Sequence, residues 1–358
     1  MDGFRYNFSA RRKGKGWQLV MDYKDGMKWR QKTKSGFLTK RDALAYRDTL
    51  LEEVSKTINL NPKVSGLTLL QFADMYLAMR KDLAPSTRHE YKHIVRKMHK
   101  LNSIPMAEIT YALAQEQLSE FASQKPSTRQ RKLIVLKNLL TQAKKYKAIP
   151  ENPIAEMRRS DIGIDWHPSR PRTFTREEVK YFIDHAGDSR ANIIIAICAL
   201  TGVRVGEALA IRWSDIDFVN SEVSINKQWK ILKIDGSKFT RGFGKVKNKT
   251  GARVLHIPPV LMKALLAYKA KAVLYMDGRI TNITHPSSVN QIISKKFPNH
   301  SAHDFRHTYA TNLLASGMDI QTVAALLGDK VATVENAYIH YTEEMRKSAA
   351  EHIDRFFG

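Results

Sequence analysis

Three short segments in the C-terminal half of the chain gather residues able to handle a phosphate. In TGVRVGEALAIRW (201–213), Arg204 follows a Thr-Gly turn at the mouth of a helix, and Glu207 stands three residues on, along the same face. SAHDFRHTYATNLLASG (301–317) sets His303 and Arg306 at i and i+3, so both side chains emerge from one face at the start of a helix. ALLGDKVATVENAYIHYT (325–342) offers Tyr338 and Tyr341 on a polar, helix-like stretch. Arginine forks match the non-bridging oxygens of a phosphate, and each preorganised donor can be worth about 3–4 kcal/mol in a transition state. A tyrosine hydroxyl costs roughly 4 kcal/mol to ionise at neutral pH, a cost that adjacent cations offset. Two arginines suffice for such chemistry without a metal, and the single cysteine, Cys198, excludes a disulfide or a multi-cysteine zinc site within one chain. Taken singly, an arginine at a helix start is most often solvated, a lone histidine is most often a capped or core residue, and a tyrosine near a C-terminus usually packs. The joint order of the three segments is what points to a site.

Charge identifies the partner class. The 358 residues carry 59 basic against 35 acidic side chains, a net +24, well beyond what solubility asks. Residues 1–60, 61–170 and 171–358 hold +7, +9 and +8 respectively, so no single tail carries the excess. Charge spread over every segment suggests that each one meets phosphate and that binding depends on salt; on charge alone, an RNA-binding protein fits as well. The hydrophobic share is 43% and no apolar run approaches the roughly 20 residues that span a bilayer. With no signal-like N-terminus, the expected setting is the cytoplasm, with no membrane partner.

The elements that must position the site belong to a multidomain α+β chain. Residues 4–9, 16–23 and 27–33 alternate apolar and polar side chains between turn-forming stretches and predict a three-stranded meander, with a helix from Thr39 to about Ile58 packed on it. Trp17, Trp29 and Phe37 read as the mini-core of this 1–58 domain, and Arg11, Arg12, Lys13, Arg30, Lys32 and Lys34 as its DNA-facing cations. Residues 67–160 predict a second domain of four or five helices, bounded by proline-containing turns. Arg88, Lys92 and Arg96 gather on one of its helices and Arg129, Arg131 and Lys132 on another, a backbone-gripping surface rather than two merely solvated faces. After the turn-rich SDIGIDWHPSRPRTF, a third domain (171–358) opens on a capping box, Thr175 to Glu178. It is expected to be mostly helical, with helices at 176–186, 189–201 and 204–212 and one small antiparallel sheet within 216–257.

These segments resemble the signature boxes of the tyrosine recombinase (lambda integrase-like) family. The Thr-Gly-x-Arg-x-Gly-Glu box, the His-x-x-Arg box and a terminal Tyr-x-His with Leu-Gly upstream occur in the family's order and rough spacing. Residues 1–58 resemble the arm-binding domain of integrases from phages and conjugative transposons, and 67–157 the helical core-binding (SAM-like) domain. The resemblance implies a DNA integrase that works without a cofactor, through a 3′-phosphotyrosine link, as a homotetramer on core and arm-type sites of double-stranded DNA, associated with the nucleoid. A DNA-bending host factor and an excisionase are the helpers it implies. Competing readings are a type IB topoisomerase-like enzyme, with the same chemistry at single sites, and a catalytically decayed DNA-binding regulator.

Carried over residue by residue, the resemblance makes Arg204 and Arg306 the holders of the scissile phosphate and Tyr338 the nucleophile; the spacing of Tyr341 from Leu327 and Gly328 fits less well. His303 takes a proton-handling and phosphate-binding position, and Glu207 an acidic position that supports the site. In VKNKTGARVLHIP (246–258), Lys249 fits the general-acid lysine of a β-hairpin, with Lys247 in competition. Asp329 departs from the pattern, standing where the family usually has His or Trp. When ionised it donates no hydrogen bond to phosphate and could instead orient Arg306 or another cation. His340 and His307 are the substitutes within reach in sequence, though each reads more readily as a surface or structural histidine. The tail 343–358 is amphipathic and suits packing either on its own subunit or on a neighbour.

Overall fold

The computed structural model describes residues 5–25, 28–55, 60–61, 63–165, 171–235, 238–246 and 251–338. The chain divides into two units, Met1–His167 and Pro168–Gly358.

The first unit opens with an antiparallel meander of β1 (Tyr6–Lys13), β2 (Gly16–Asp25) and β3 (Lys28–Phe37). Register pairs Leu19 with Ala10 and Met21 with Phe8, which puts these side chains on one face because strand residues alternate. That face is covered by Ala43, Leu50 and Val54 from α1 (Lys40–Ala45) and α2 (Arg47–Ser55). The single helix expected over 39–58 is thus two: Tyr46 leaves helical geometry (ψ 2°), its ring packs 5.5 Å from Phe37, and its hydroxyl donates to Glu53. Trp17 and Phe37 join this core as expected, but Trp29 does not. Trp29 pairs with Lys24, on the face away from the helices, and is 61% exposed. Arg11, Arg12, Lys13, Arg30, Lys32 and Lys34 are all exposed, Arg30 in an ion pair with Asp25 at 2.9 Å.

Four helices follow in the same unit: α3 (Leu69–Met79), α4 (Pro85–Arg96), α5 (Tyr111–Ser119) and α6 (Pro126–Lys145). Thr68 and Gln71 form a capping box at α3, and prolines open α4 and α6, where a missing N–H costs nothing. Their apolar faces meet around Phe72, Val95, Leu118, Leu136 and Leu140. Two cations read as DNA-facing are instead structural. Arg129 and Lys132 are 8% and 4% exposed. Arg129 donates to the carbonyls of Ile162 and Gly163, closing the turn after Ser160, and Lys132 donates to Gln124 at 2.6 Å with its ammonium 4.4 Å from the centre of the Phe121 ring. The physical reason is position on α6: both lie on the stripe shared with buried Leu133 and Leu136, and their long stems carry the charge to fixed acceptors. Arg96 stays exposed and Arg88 half-buried, while Lys92 pairs with Asp74 at 2.8 Å and Arg131 holds Glu90 bidentately at 2.7 and 2.8 Å.

In the second unit the Thr175–Glu178 box caps α7 (Arg176–Asp184), followed by the almost wholly buried α8 (Arg190–Thr201). The helix expected over 204–212 shrinks to one turn, α9 (Val205–Ala208). The strands make two sheets rather than one. Short β4 (Ile216–Asp217), β5 (Glu222–Ile225) and β8 (Arg253–His256) pair in the order β4-β5-β8, and β6 (Lys227–Asp235) with β7 (Lys238–Lys245) forms a separate hairpin. Helices α10 (Pro259–Lys271), α11 (Pro286–Lys296), α12 (Ala302–Ala315), α13 (Ile320–Leu327) and α14 (Val331–Tyr338) complete it. Phe305 of α12, fully buried, stacks on Phe174 with ring centres 4.0 Å apart and fixes the start of α12 in the core. Among the described residues no helix is long and apolar enough to cross a membrane, and no group of His, Cys, Asp and Glu could hold a metal ion.

The reassignment of Arg129 is testable by urea unfolding. Arg129→Met is expected to lower stability by about 1.5–3 kcal/mol, the worth of charged hydrogen bonds to buried carbonyls. Unchanged stability with weakened DNA retention would return Arg129 to the DNA-facing set.

Candidate active site

Gly202 fixes the first arginine box. It caps α8 in the left-handed conformation (φ +66°), and a Cβ there would lie 2.5 Å from the Tyr309 ring, so only glycine fits. The chain then turns so that Arg204 becomes the N-cap of α9, its backbone N–H donating to Glu207 at 3.1 Å and its Nη1 donating to the same carboxylate at 3.0 Å. Gly206 is tight but less constrained: a Cβ there would sit 3.2 Å from the Trp229 carbonyl of β6. Trp229 is itself pinned: its indole N–H donates to Thr284, and the buried Arg279 guanidinium lies 3.7 Å from its ring centre.

The second arginine comes from α12. Arg306 is 3% exposed, donating from Nη1 to the Gly202 carbonyl at 3.0 Å and from Nη2 to the Leu327 carbonyl at 2.8 Å. It therefore ties the end of α8 and the end of α13 to one guanidinium. Its Nη2 also donates to Oδ2 of Asp329, whose Oδ1 accepts from Nη2 of Arg204. One carboxylate thus bridges the two arginines. Burial alone would push the Asp329 carboxyl upward, but the charges and hydrogen bonds of Arg306 and Arg204 hold it below the usual range. For Arg306 the order reverses: burial, then the nearby Arg204, lowers its pKa against the pull of Asp329.

A third arginine completes the set, and sequence reasoning missed it. Arg253, the first residue of β8, donates from Nη2 to Glu207 at 2.9 Å, from Nε to the Leu326 carbonyl at 2.6 Å and from Nη1 to Gly251 at 2.8 Å. The signal was available. Arg253 shares strand parity with buried Leu255 and Ile257, so it is a charge at an inward-facing position. Glu207, 2% exposed, is consequently a buried carboxylate held between two guanidiniums.

His303 stands three residues before Arg306 on α12 and keeps an exposed surface. Partial desolvation, then the Arg306 charge, lowers its pKa, favouring the neutral ring. Its ring centre lies 4.6 Å from that of His307, edge to face. Burial, followed by His303, depresses the pKa of His307 to about 4. Asp329 begins the turn between α13 and α14, after the left-handed Gly328, and the last residue of α14 is Tyr338. The structure thus brings together Arg204, Glu207, His303, Arg306 and Asp329. The side chain of Tyr338, and Lys247, Lys249, His340, Tyr341 and the tail, lie outside the described residues. The arrangement can hold an anion between two converging guanidiniums, beside a neutral histidine.

Comparison with known proteins places this geometry. Residues 172–345 match the phage integrase family, and residues 9–54 match an arm DNA-binding domain. A protein described as tyrosine recombinase XerC-like, from Caldanaerobacter subterraneus subsp. tengcongensis, is 24% identical over 356 residues, covering 89% of this chain and 90% of its own. A Tn1549 transposon integrase, solved in complex with transposon right end DNA, superposes with a TM-score of 0.63 at 19% identity over 82% of this chain and all of that one. A lambda integrase, solved as a tetramer bound to a Holliday junction, gives a TM-score of 0.55 at 15% identity over 90% and 94% of the two chains. At these identities the structural likeness is one of fold.

Two outcomes follow from the buried charges. Glu207→Gln leaves Arg204 and Arg253 without their shared partner and is expected to lower stability by about 3–5 kcal/mol in urea unfolding; a loss below about 1 kcal/mol would contradict the pairing. The unfolded chain protonates His307 near pH 6.5, whereas the folded chain does so only near pH 4. Stability should therefore be level above pH 6.5 and fall as pH drops from 6.5 toward 4, and His307→Gln should flatten that part of the curve. An unchanged slope in the variant would show that another group carries it.

Proposed function

We propose that this chain, which belongs to the phage integrase family of tyrosine recombinases, is a site-specific DNA integrase that cleaves and rejoins strands to integrate or excise a mobile element. The observation that carries the reading is the convergence of Arg204 and Arg306, from different elements, on one anion, in a turn that leads directly into the helix ending at Tyr338. Such a pair would hold the non-bridging oxygens of a phosphodiester and stabilise the charge that develops on them. Tyr338 attacks phosphorus, the bond to the 5′ oxygen breaks, and the 3′ phosphate becomes esterified to the tyrosine. The leaving 5′ oxygen takes a proton, for which Lys249 is the donor, while neutral His303 is suited to receive the phenolic proton or hydrogen-bond the phosphate. Reversal by another strand's 5′ hydroxyl reseals the backbone, and the covalent link conserves the bond energy, so no nucleotide cofactor is required.

In this reading the exposed cations of the 1–58 domain bind arm-type sites. The helical domain (67–160) and the catalytic domain (171–358) grip the core site, and four protomers exchange strands pairwise within the nucleoid. A DNA-bending host factor and an excisionase are the expected helpers for direction. The separate arm DNA-binding domain favours recombination between sites over topoisomerase action at single sites, and the assembled arginines argue against a decayed binder.

The test is a nicked suicide substrate resolved on a denaturing gel. The intact protein and Tyr341→Phe are expected to form a covalent adduct. Tyr338→Phe is expected to form none while retaining the DNA. An adduct that survives Tyr338→Phe and is lost with Tyr341→Phe would move the nucleophile. No adduct from the intact protein on a bound site would favour a DNA-binding regulator.

A further inference from the structure

We propose that Asp329 is a built-in occupant of the phosphate seat: its carboxylate bridges Arg204 and Arg306 and is displaced when the scissile phosphate arrives. This rests on the reading of the two arginines as phosphate holders. The bridge is two-pointed, Oδ1 on Arg204 and Oδ2 on Arg306, which is the pattern that two non-bridging oxygens of a phosphodiester would present to the same donors.

The other bonds of these arginines are not exchangeable. Arg204 is fixed through Nη1 by buried Glu207, and Arg306 by the carbonyls of Gly202 and Leu327, so releasing any of them would strand a buried acceptor. Asp329 can be exchanged at lower cost. It lies in a turn, is partly open to solvent and can be hydrated when it leaves. An ionised carboxylate that stayed would face the phosphate as a like charge within the same pair of donors. Beside Arg306 and Arg204 it remains ionised at neutral pH. The network of Arg253, Glu207, Arg204, Asp329 and Arg306 holds three cations and two anions, and displacement of Asp329 exposes two further N–H donors to the incoming phosphate. Asp329 also sits two residues before the start of α14, the helix that ends at Tyr338.

The test separates anion binding from chemistry by using inorganic sulfate as the probe in calorimetric titration of the full chain. Asp329→Asn should bind sulfate about tenfold more tightly than the intact protein, the worth of one charged hydrogen bond no longer competed for. Asp329→Glu, which keeps the charge, should stay close to the intact protein. Asp329→His serves as a second neutral replacement should the asparagine variant fold poorly by circular dichroism. On the suicide substrate at sub-saturating protein, Asp329→Asn should form adduct faster. Equal sulfate affinity in the asparagine, histidine and intact proteins overturns the proposal. So does slower cleavage in both neutral variants with rescue by Asp329→Glu, which would make Asp329 a positioning residue for the arginines. Tighter sulfate binding by the neutral variants, with no adduct from any protein, would uphold the occupancy and sink the recombinase reading instead.

Discussion

Buried charge must be paired, and the catalytic unit is arranged around that requirement. Arg253, Glu207, Arg204, Asp329 and Arg306 form an alternating series of charges contributed by β8, α9, the turn before α14 and α12. No one element could satisfy it alone. Gly202 must take a left-handed conformation so that its carbonyl accepts from Arg306 and the chain turns to present Arg204, and Gly206 lets the Trp229 carbonyl of β6 pass close by. The buried stack of Phe174 and Phe305 then holds α12 at the depth where Arg306 reaches both carbonyls. Packing sets the distances, and the distances make the charges affordable in a region of low dielectric.

The basic surplus divides into two populations with different work. Arg129, Lys132 and Arg279 are buried, the Arg253 side chain is 7% exposed, and all four direct their donors to carbonyls, amides and carboxylates of their own unit. Arg11, Arg12, Lys13, Arg30, Lys32 and Lys34 are exposed on the small sheet, where register sets Arg30, Lys32 and Lys34 on the face of Leu19 and Met21 and Trp29 on the opposite face. The second population suits a polyanion, since hydrated cations exchange water and counterions for phosphate at little cost. Net charge alone does not distinguish the two; the burial of each residue does.

Much of this was legible in the sequence because it rests on local rules. The caps at Thr39 and Thr175, the turn at Gly202 and the i, i+3 spacing of His303 and Arg306 each depend on a few adjacent residues. What was not legible depends on partners distant in the chain. Asp329 meets Arg204 across 125 positions, and Arg129 meets Ile162 across 33, so neither pairing has a spacing to read. The break at Tyr46 is a tertiary override of a continuous helical pattern by the Phe37 ring. The division of the strands into two sheets follows from where β6 and β7 pair with each other and not with β5, a register that alternation does not specify.

In the proposed reaction the arginine pair presents a phosphate to Tyr338. This is tested most directly by trapping the covalent complex, digesting the DNA and the protein, and locating the nucleotide by tandem mass spectrometry. Trypsin releases residues 331–346 as one peptide, VATVENAYIHYTEEMR, which contains both tyrosines. A nucleotide on Tyr338, absent when Arg204 and Arg306 are both replaced by alanine, is the predicted result. A nucleotide on Tyr341, or one that persists on Tyr338 without the two arginines, would contradict the account.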